Sequence, residues 1–240
     1  MKRVTPILLL LPLLWLAGPV YAQGVMTPSG QGAWGKQVFF SGMAMNKQPY
    51  STEPLAVVTL GFGIGNPKKN LGVEIAGNMP YYDVVTLDVK LHKYLALGTS
   101  LAIGSNNLFT TGLNFDYDNY YAVLSHDFRH NFHQRNPFSR LALSLGLGQG
   151  RTFSTKWPKD LVRDKPDGGT RIFGAAAIRL GEHIRLEGEW TGVNLNSFLT
   201  FHRQFGRLPL GLHFGFADLT SYSGDRILFV VGLGAGYRFR

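Results

Sequence analysis

VVTLDVKLHK, residues Val84 to Lys93, alternates apolar and polar side chains with a period of two. In an extended chain Val85, Leu87, Val89 and Leu91 point one way and Thr86, Asp88, Lys90 and His92 the other. On a helix, turning about 100° per residue, neither set would stay on one face. HIRLEGEW (183–190) repeats the pattern, with Ile184, Leu186 and Trp190 opposite His183, Arg185, Glu187 and Glu189. LALSLGLGQG (141–150) sets Leu141, Leu143, Leu145 and Leu147 against Ala142, Ser144, Gly146 and Gly148. The local fold is therefore strand.

Twelve such segments follow one another, beginning near Gly35, Leu55, Asn70, Tyr82, Leu95, Asn119, Phe138, Gly169, His183, Leu195, Leu208 and Arg226. Each is about ten residues long, the length a tilted strand needs to cross a bilayer. An even count puts both termini on one side, which in single-chain bacterial barrels is the periplasmic one. With the first strand running outward, the inner turns are NPKKN, LHKYL, RHNFHQRNPF, LGEHI and RQFGRLP. The outer loops then include the longest ones, SNNLFTTGLNFDYDN and RTFSTKWPKDLVRDKPDGG. Short inner turns and longer outer loops suit a barrel in an outer membrane. The expected fold is all-β: an antiparallel transmembrane up-and-down β-barrel of about 12 strands, with 10–14 as the range.

Composition agrees. Charged residues are 16% of the 240, and glycine numbers 30, a surface ill suited to water. Cysteine is absent, so no disulfide holds the chain. A soluble periplasmic barrel or sandwich is the alternative, with the apolar stripe inward. Its polar stripe would then face water, yet that stripe is largely Gly, Ala and Ser.

The N-terminus reads as an export signal. Lys2 and Arg3 precede the apolar stretch Ile7 to Val20, broken by Pro12, and Val20-Tyr21-Ala22 offers small residues where a signal peptidase reads. The expected organisation is a signal peptide over 1–22, a periplasmic or lumen-entering segment over 23–34, and a barrel over 35–240. Removing Lys2 and Arg3 lowers the formal charge from +9 to +7.

Aromatics gather at strand ends: Tyr81, Tyr82, Tyr94, Tyr120, Tyr121, Trp190, Phe216, Tyr237 and Phe239. That placement suits the two interfacial girdles of a membrane barrel. The last segment, RILFVVGLGAGYRFR, carries Ile227, Phe229, Val231, Leu233, Ala235, Tyr237 and Phe239 on one face. On these residues the chain resembles the Gram-negative outer-membrane β-barrels, porin-like proteins whose terminal strand is read by the barrel-assembly machinery. It departs from the class in one position, because Arg240 follows the terminal aromatic. The resemblance implies a lipid environment and that assembly partner. It covers 35–240 as architecture and identifies no specific family.

Chemical motifs are few. Ser125, His126 and Asp127 are adjacent, the residue types of a hydrolytic triad. On a strand Ser125 and Asp127 share a face and His126 takes the other, so the run cannot relay a proton. His126, His130 and His133 pass from strand into turn with no cysteine or carboxylate to complete a metal set. GFGIGN (61–66) lacks the spacing and helix of a dinucleotide fingerprint. DYDN (116–119) lacks the glycine and distal glutamate of a calcium loop. No catalytic residue, metal or cofactor is expected, and no nucleic acid, since no basic-aromatic binding face is present.

The stripe opposite the apolar one should line the lumen. Its charged candidates are Glu74, Asp88, Lys90, His92, Arg140, Arg171, Arg179, His183, Arg185, Glu187 and Glu189. They could form a salt-bridged plug, or their cationic excess could line a narrow path that favours anions. A second set, Gly61, Gly63, Gly65, Gly232, Gly234 and Gly236, flanks the first strand as a bare strip. Such glycines either admit another backbone, here the Gly- and Pro-rich 23–34, or relieve curvature. Basic residues crowd the inner turns (Lys68, Lys69, Lys93, Arg129, Arg135, Arg203, Arg207, Arg238, Arg240). Acidic ones favour the outer loops (Glu53, Asp83, Asp116, Asp118, Asp225), with a mixed loop over 156–167.

The function expected is a small channel for small hydrophilic, anionic solutes. The alternatives are an outer-membrane lipid or lipopolysaccharide hydrolase and a structural or assembly partner of an envelope complex. Oligomeric state is not legible.

Overall fold

The computed structural model describes residues 25–47, 53–81, 84–111, 118–130, 136–150, 152–153, 168–206, 208–221 and 227–239. Twelve antiparallel strands close into one barrel: β1 Gln37–Met45, β2 Leu55–Gly65, β3 Gly72–Tyr81, β4 Val84–Ala96, β5 Thr99–Leu108 and β6 Asn119–Asp127, then β7 Leu141–Gln149, β8 Ile172–Arg179, β9 Ile184–Trp190, β10 Leu195–Phe205, β11 Leu208–Ala217 and β12 Leu228–Arg238. Every strand pairs with its sequence neighbours, and β1 joins β12 with Gln37 opposite Arg238 and Met45 opposite Val230. Closure leaves no sheet edge unpaired, the condition for β-structure in hydrocarbon.

The apolar stripes face out. Leu60 on β2 and Leu145 on β7 are each 65% exposed, and Phe62, Leu143, Leu147, Leu186, Phe229 and Leu233 stand on the same surface. Their in-between neighbours Gly61, Ala142, Ser144, Glu187 and Val230 are buried. A soluble barrel would show the reverse. A continuous apolar exterior around a closed barrel belongs against lipid, so the chain is a transmembrane barrel of the outer-membrane type.

The strand starts agree with the period-two segments to within a few residues. The largest difference is at β5, expected near Leu95 and found at Thr99. LHKYL is not a turn: β4 continues through it to Ala96, and the reversal falls at Leu97-Gly98. Gly98 has φ of 79°, the left-handed conformation that such a tight turn needs and that glycine adopts without strain.

Two aromatics assigned to the girdles face inward instead. Tyr121 is 6% exposed, while Tyr120 beside it is 53% exposed, since adjacent strand positions take opposite faces. Tyr94 shares the inward face of β4 with His92.

Residues 1–24 lie outside the described residues, so the signal peptide is an expectation only. The same holds for Tyr82, Asp83, Asp116, His133, Arg135, the loop over 156–167, Arg207, Asp225 and Arg240.

Candidate functional site in the barrel lumen

The lumen holds the protein's own chain. From Lys36, just before β1, residues 34 back to 25 run inside the barrel, and the walls hold their backbone. Trp34 sits at the mouth that carries the barrel's two chain ends, with the Arg238 guanidinium 4.0 Å from its ring centroid and the Lys68 ammonium 5.7 Å away. Ala33 donates its N–H to Glu74 Oε2 on β3 at 2.5 Å, and its carbonyl lies 3.0 Å from His92 Nε2 on β4. The Gln31 carbonyl accepts from Lys90 Nζ at 3.2 Å. Gly30 N–H donates to Ser125 Oγ on β6 at 2.8 Å. At the far end Val25 and Met26 donate their N–H groups to Glu189 on β9, Met26 at 3.0 Å.

Strands β3 and β9 stand six places apart in a ring of twelve. The segment therefore crosses the lumen from one wall to the opposite one, anchored at both ends by a carboxylate that accepts backbone N–H groups.

Glycine allows the close approach. A Cβ at Gly63 would run into the carbonyl of Ala33 and the nitrogen of Trp34. At Gly61, Gly65, Gly232 and Gly234 the atoms nearest such a Cβ belong to the wall. At Gly232 a Cβ would meet the Gly42 carbonyl and His213, and at Gly234 the Phe40 carbonyl and Ser41, all on neighbouring strands. Gly61 and Gly236 are buried in the wall, and Gly65 is exposed at the end of β2 with φ of 77°. The segment leaves the strip at Gly63 because its hydrogen-bonding partners lie on the other walls.

The charged candidates fall into two groups. Glu74, Asp88, Lys90, His92, Arg179, Arg185, Glu187 and Glu189 occupy inward positions of their strands. Lys90 Nζ is 3.2 Å from Glu74 Oε1, directly across the β3–β4 register. Asp88 Oδ1 accepts from the Asn107 N–H at 2.8 Å. Arg185 reaches Glu187 Oε1 through Nε at 2.8 Å and through its terminal NH2 at 2.7 Å; Thr200 donates to the same oxygen at 2.7 Å. Arg179 binds Asp127 at 2.5 Å and the Ser139 carbonyl at 3.1 Å. The other three differ. Arg140 is exposed, the last residue of a 3-10 turn (Pro137–Arg140) that precedes β7. Arg171 is exposed, with φ of 56°, just before β8. Neither lines the lumen, because the strands begin one residue after them. His183 also precedes its strand and is exposed at the mouth, edge-on to His202 with ring centroids 6.2 Å apart.

The charge of the wall follows. Strands β3, β4 and β9 present the carboxylates Glu74, Asp88, Glu187 and Glu189 against the cations Lys90 and Arg185. With Arg179 on β8, bound to Asp127, the inward candidates set four carboxyl groups against three permanent cations, which is no cationic excess.

Several inward groups stand outside the charged candidates: Ser125, Ser144, Thr200, His213, Tyr121 and Asn106. Their one signal is position on the inward stripe. Ser125 Oγ lies 2.6 Å from Ser144 Oγ inside the barrel, whereas His126, on the outer face, has Nδ1 2.7 Å from Thr99 Oγ1. The Ser-His-Asp run is thus divided between two faces.

Beside the segment a cavity of about 190 Å³ remains, lined by Val25, Met26, Thr27 and Pro28 of the segment and by wall residues including Glu74, Asp88, Lys90 and Tyr121.

No protein-family model matches the sequence, and no curated protein matches it. Solved structures do match in shape. The chain is similar to the KdgM porin, with a TM-score of 0.53 at 10% identity over 85% of this chain and 99% of that one. It is equally similar to the KdgM porin in complex with disordered oligogalacturonate, with a TM-score of 0.52 at 11% identity over 85% and 99%. The outer-membrane phospholipase A from Escherichia coli matches with a TM-score of 0.47 at 10% identity over 85% and 90%. At such identities the likeness is one of fold: a barrel of the outer-membrane class, porin-like in architecture.

Proposed function

We propose that the protein is a small outer-membrane channel for small hydrophilic solutes, and that residues 25–34 narrow its lumen. Residues 1–22 export it and are removed, and β12 presents the apolar face that the assembly machinery reads. The reading rests on one observation above all. A segment spans a polar lumen between Glu74 and Glu189 on opposite walls, held by backbone hydrogen bonds and leaving space beside it. The porin-like fold supports solute passage, and the KdgM porin has been captured with oligogalacturonate.

The anion preference expected from the sequence has less to stand on. It rested on a cationic excess that included Arg140 and Arg171, which lie off the inner wall, and the inward candidates that remain set four carboxyl groups against Lys90, Arg179 and Arg185. We place no anion filter in the lumen. The exposed Lys68, Lys69, Lys93 and Arg203 make the mouth basic and would gather anions only there.

Planar-bilayer recording tests this. The purified protein should conduct weakly, and its reversal potential in a KCl gradient should show no anion selectivity. Replacing both anchors (Glu74→Ala with Glu189→Ala) removes the acceptors of these N–H groups and should raise the conductance several-fold. A silent bilayer for both proteins would reject the channel, and equal conductance would reject the narrowing role of 25–34.

A further inference from the structure

We infer that the cavity between the lumen segment and strands β3 to β6 is a binding chamber for one small, uncharged, polyhydroxylated solute, with Thr27 as the segment's own contribution to the site. The inference deepens the channel reading and rests on it, because it names the class of solute that pauses inside.

Three observations carry it. The first is size. About 190 Å³ is the space of roughly six water molecules, enough for a single small sugar or polyol. The second is an unmet polar group. Thr27 is 6% exposed, lines the cavity, and its Oγ1 has no hydrogen-bond partner among the described residues. A buried hydroxyl left unpaired costs free energy that an occupant's hydroxyl would recover.

The third is the pattern of charge. Lys90 lies between two carboxylates on the same wall, Glu74 across the register and Asp88 one inward position along β4. A simple anion entering the cavity would meet both carboxylates, and a simple cation would meet the ammonium. A hydroxyl both donates and accepts, so it can satisfy either kind of neighbour, together with the Asn106 amide and the Tyr121 phenol. The Tyr121 ring and Pro28 supply apolar surface for the C–H face of such a molecule. Because Thr27 belongs to the segment and the other polar groups to the wall, occupancy and seating of the segment reinforce each other.

Isothermal titration calorimetry on the full mature protein in detergent micelles tests the chamber without requiring conduction. The probes are glucose and glycerol as uncharged polyols, with acetate and ethylammonium as charged comparators. One of the polyols should bind saturably at one site per chain, and neither ion should. Thr27→Val keeps the shape, removes the hydroxyl and should weaken binding about tenfold, while Thr27→Ser should restore it. If Thr27→Val loses heat-modifiable gel mobility, Tyr121→Phe, which removes only an oxygen, gives the second reading with the same expected loss. Absence of saturable binding by either polyol, tighter binding of either ion, or unchanged affinity in these variants would overturn the chamber. The channel reading would survive those results as long as the bilayer recordings conduct; a silent bilayer with intact polyol binding would instead leave a binding barrel that does not transport.

Discussion

At the scale of single residues, the inner wall is held by pairs whose partners cannot be exchanged one at a time. Glu74 accepts from Lys90 and from the Ala33 N–H, so it serves both the barrel and the segment. Both side chains of this pair are less than one-fifth exposed, so removing one leaves the other charged in a place poor in water. Lys90→Met alone should therefore destabilise the barrel by about 3 kcal/mol, and adding Glu74→Gln should recover part of that loss. Denaturant titration followed by heat-modifiable mobility measures both; independent, additive losses would show that the pair is not coupled. The inward position of Glu74, Lys90, Glu187 and Glu189 was legible from period two alone. Arg140 and Arg171 were misplaced because they stand one residue before a strand begins, where alternation gives no direction. Tyr121 was misplaced because an aromatic suits a girdle and a lumen equally, and only its parity with Val123 and Ser125 on β6 separates the two.

At the scale of elements, the strands were readable in register, and the segment over 25–34 only as a Gly- and Pro-rich stretch that would stay periplasmic or enter the lumen. A strand half against lipid must alternate, so it writes its register into the sequence. The segment makes contact on several sides at once and needs no period; the glycine strip marked one wall it could follow, and the close approach falls at Gly63, while the partners that hold it lie on the other walls. Its contact with Gly63 supplies a direct test. Gly63→Val would put a branched side chain where the Ala33 carbonyl now lies, and the barrel would keep its strands while the segment shifts. Hydrogen exchange should then show lost protection of the Val25, Met26, Gly30 and Ala33 amides, with β6 and β9 unchanged. Retained protection at those four amides would mean that the wall, not the segment, absorbs the added side chain. At the reversal between β4 and β5, Gly98→Val would instead strain a positive φ, at a cost of about 1–2 kcal/mol read from the same denaturant titration.

At the scale of the whole molecule, the direction in which the apolar stripes face decides everything else. The strand number and closed topology were legible because twelve alternating segments with short inner turns admit few other closures. The interior was not, since which charges pair and what fills the space depend on contacts between strands far apart in sequence. The outward direction of the stripes can be tested independently of any channel activity. Leu145 on β7 is 65% exposed, and its neighbour Ser144 is buried with its hydroxyl against Ser125. If the exterior meets hydrocarbon, Leu145→Arg places a charge among lipid chains and should cost about 2–4 kcal/mol of folding free energy in vesicles, less in a detergent whose micelle is easily deformed. Were the exterior in water, the same change would be neutral or would improve solubility. Refolding into vesicles with loss of stability in Leu145→Arg, and a smaller loss for an arginine nearer the girdle at Tyr120, would give the depth dependence that only a bilayer imposes. Equal tolerance at both positions would remove the membrane from the account, and with it the channel.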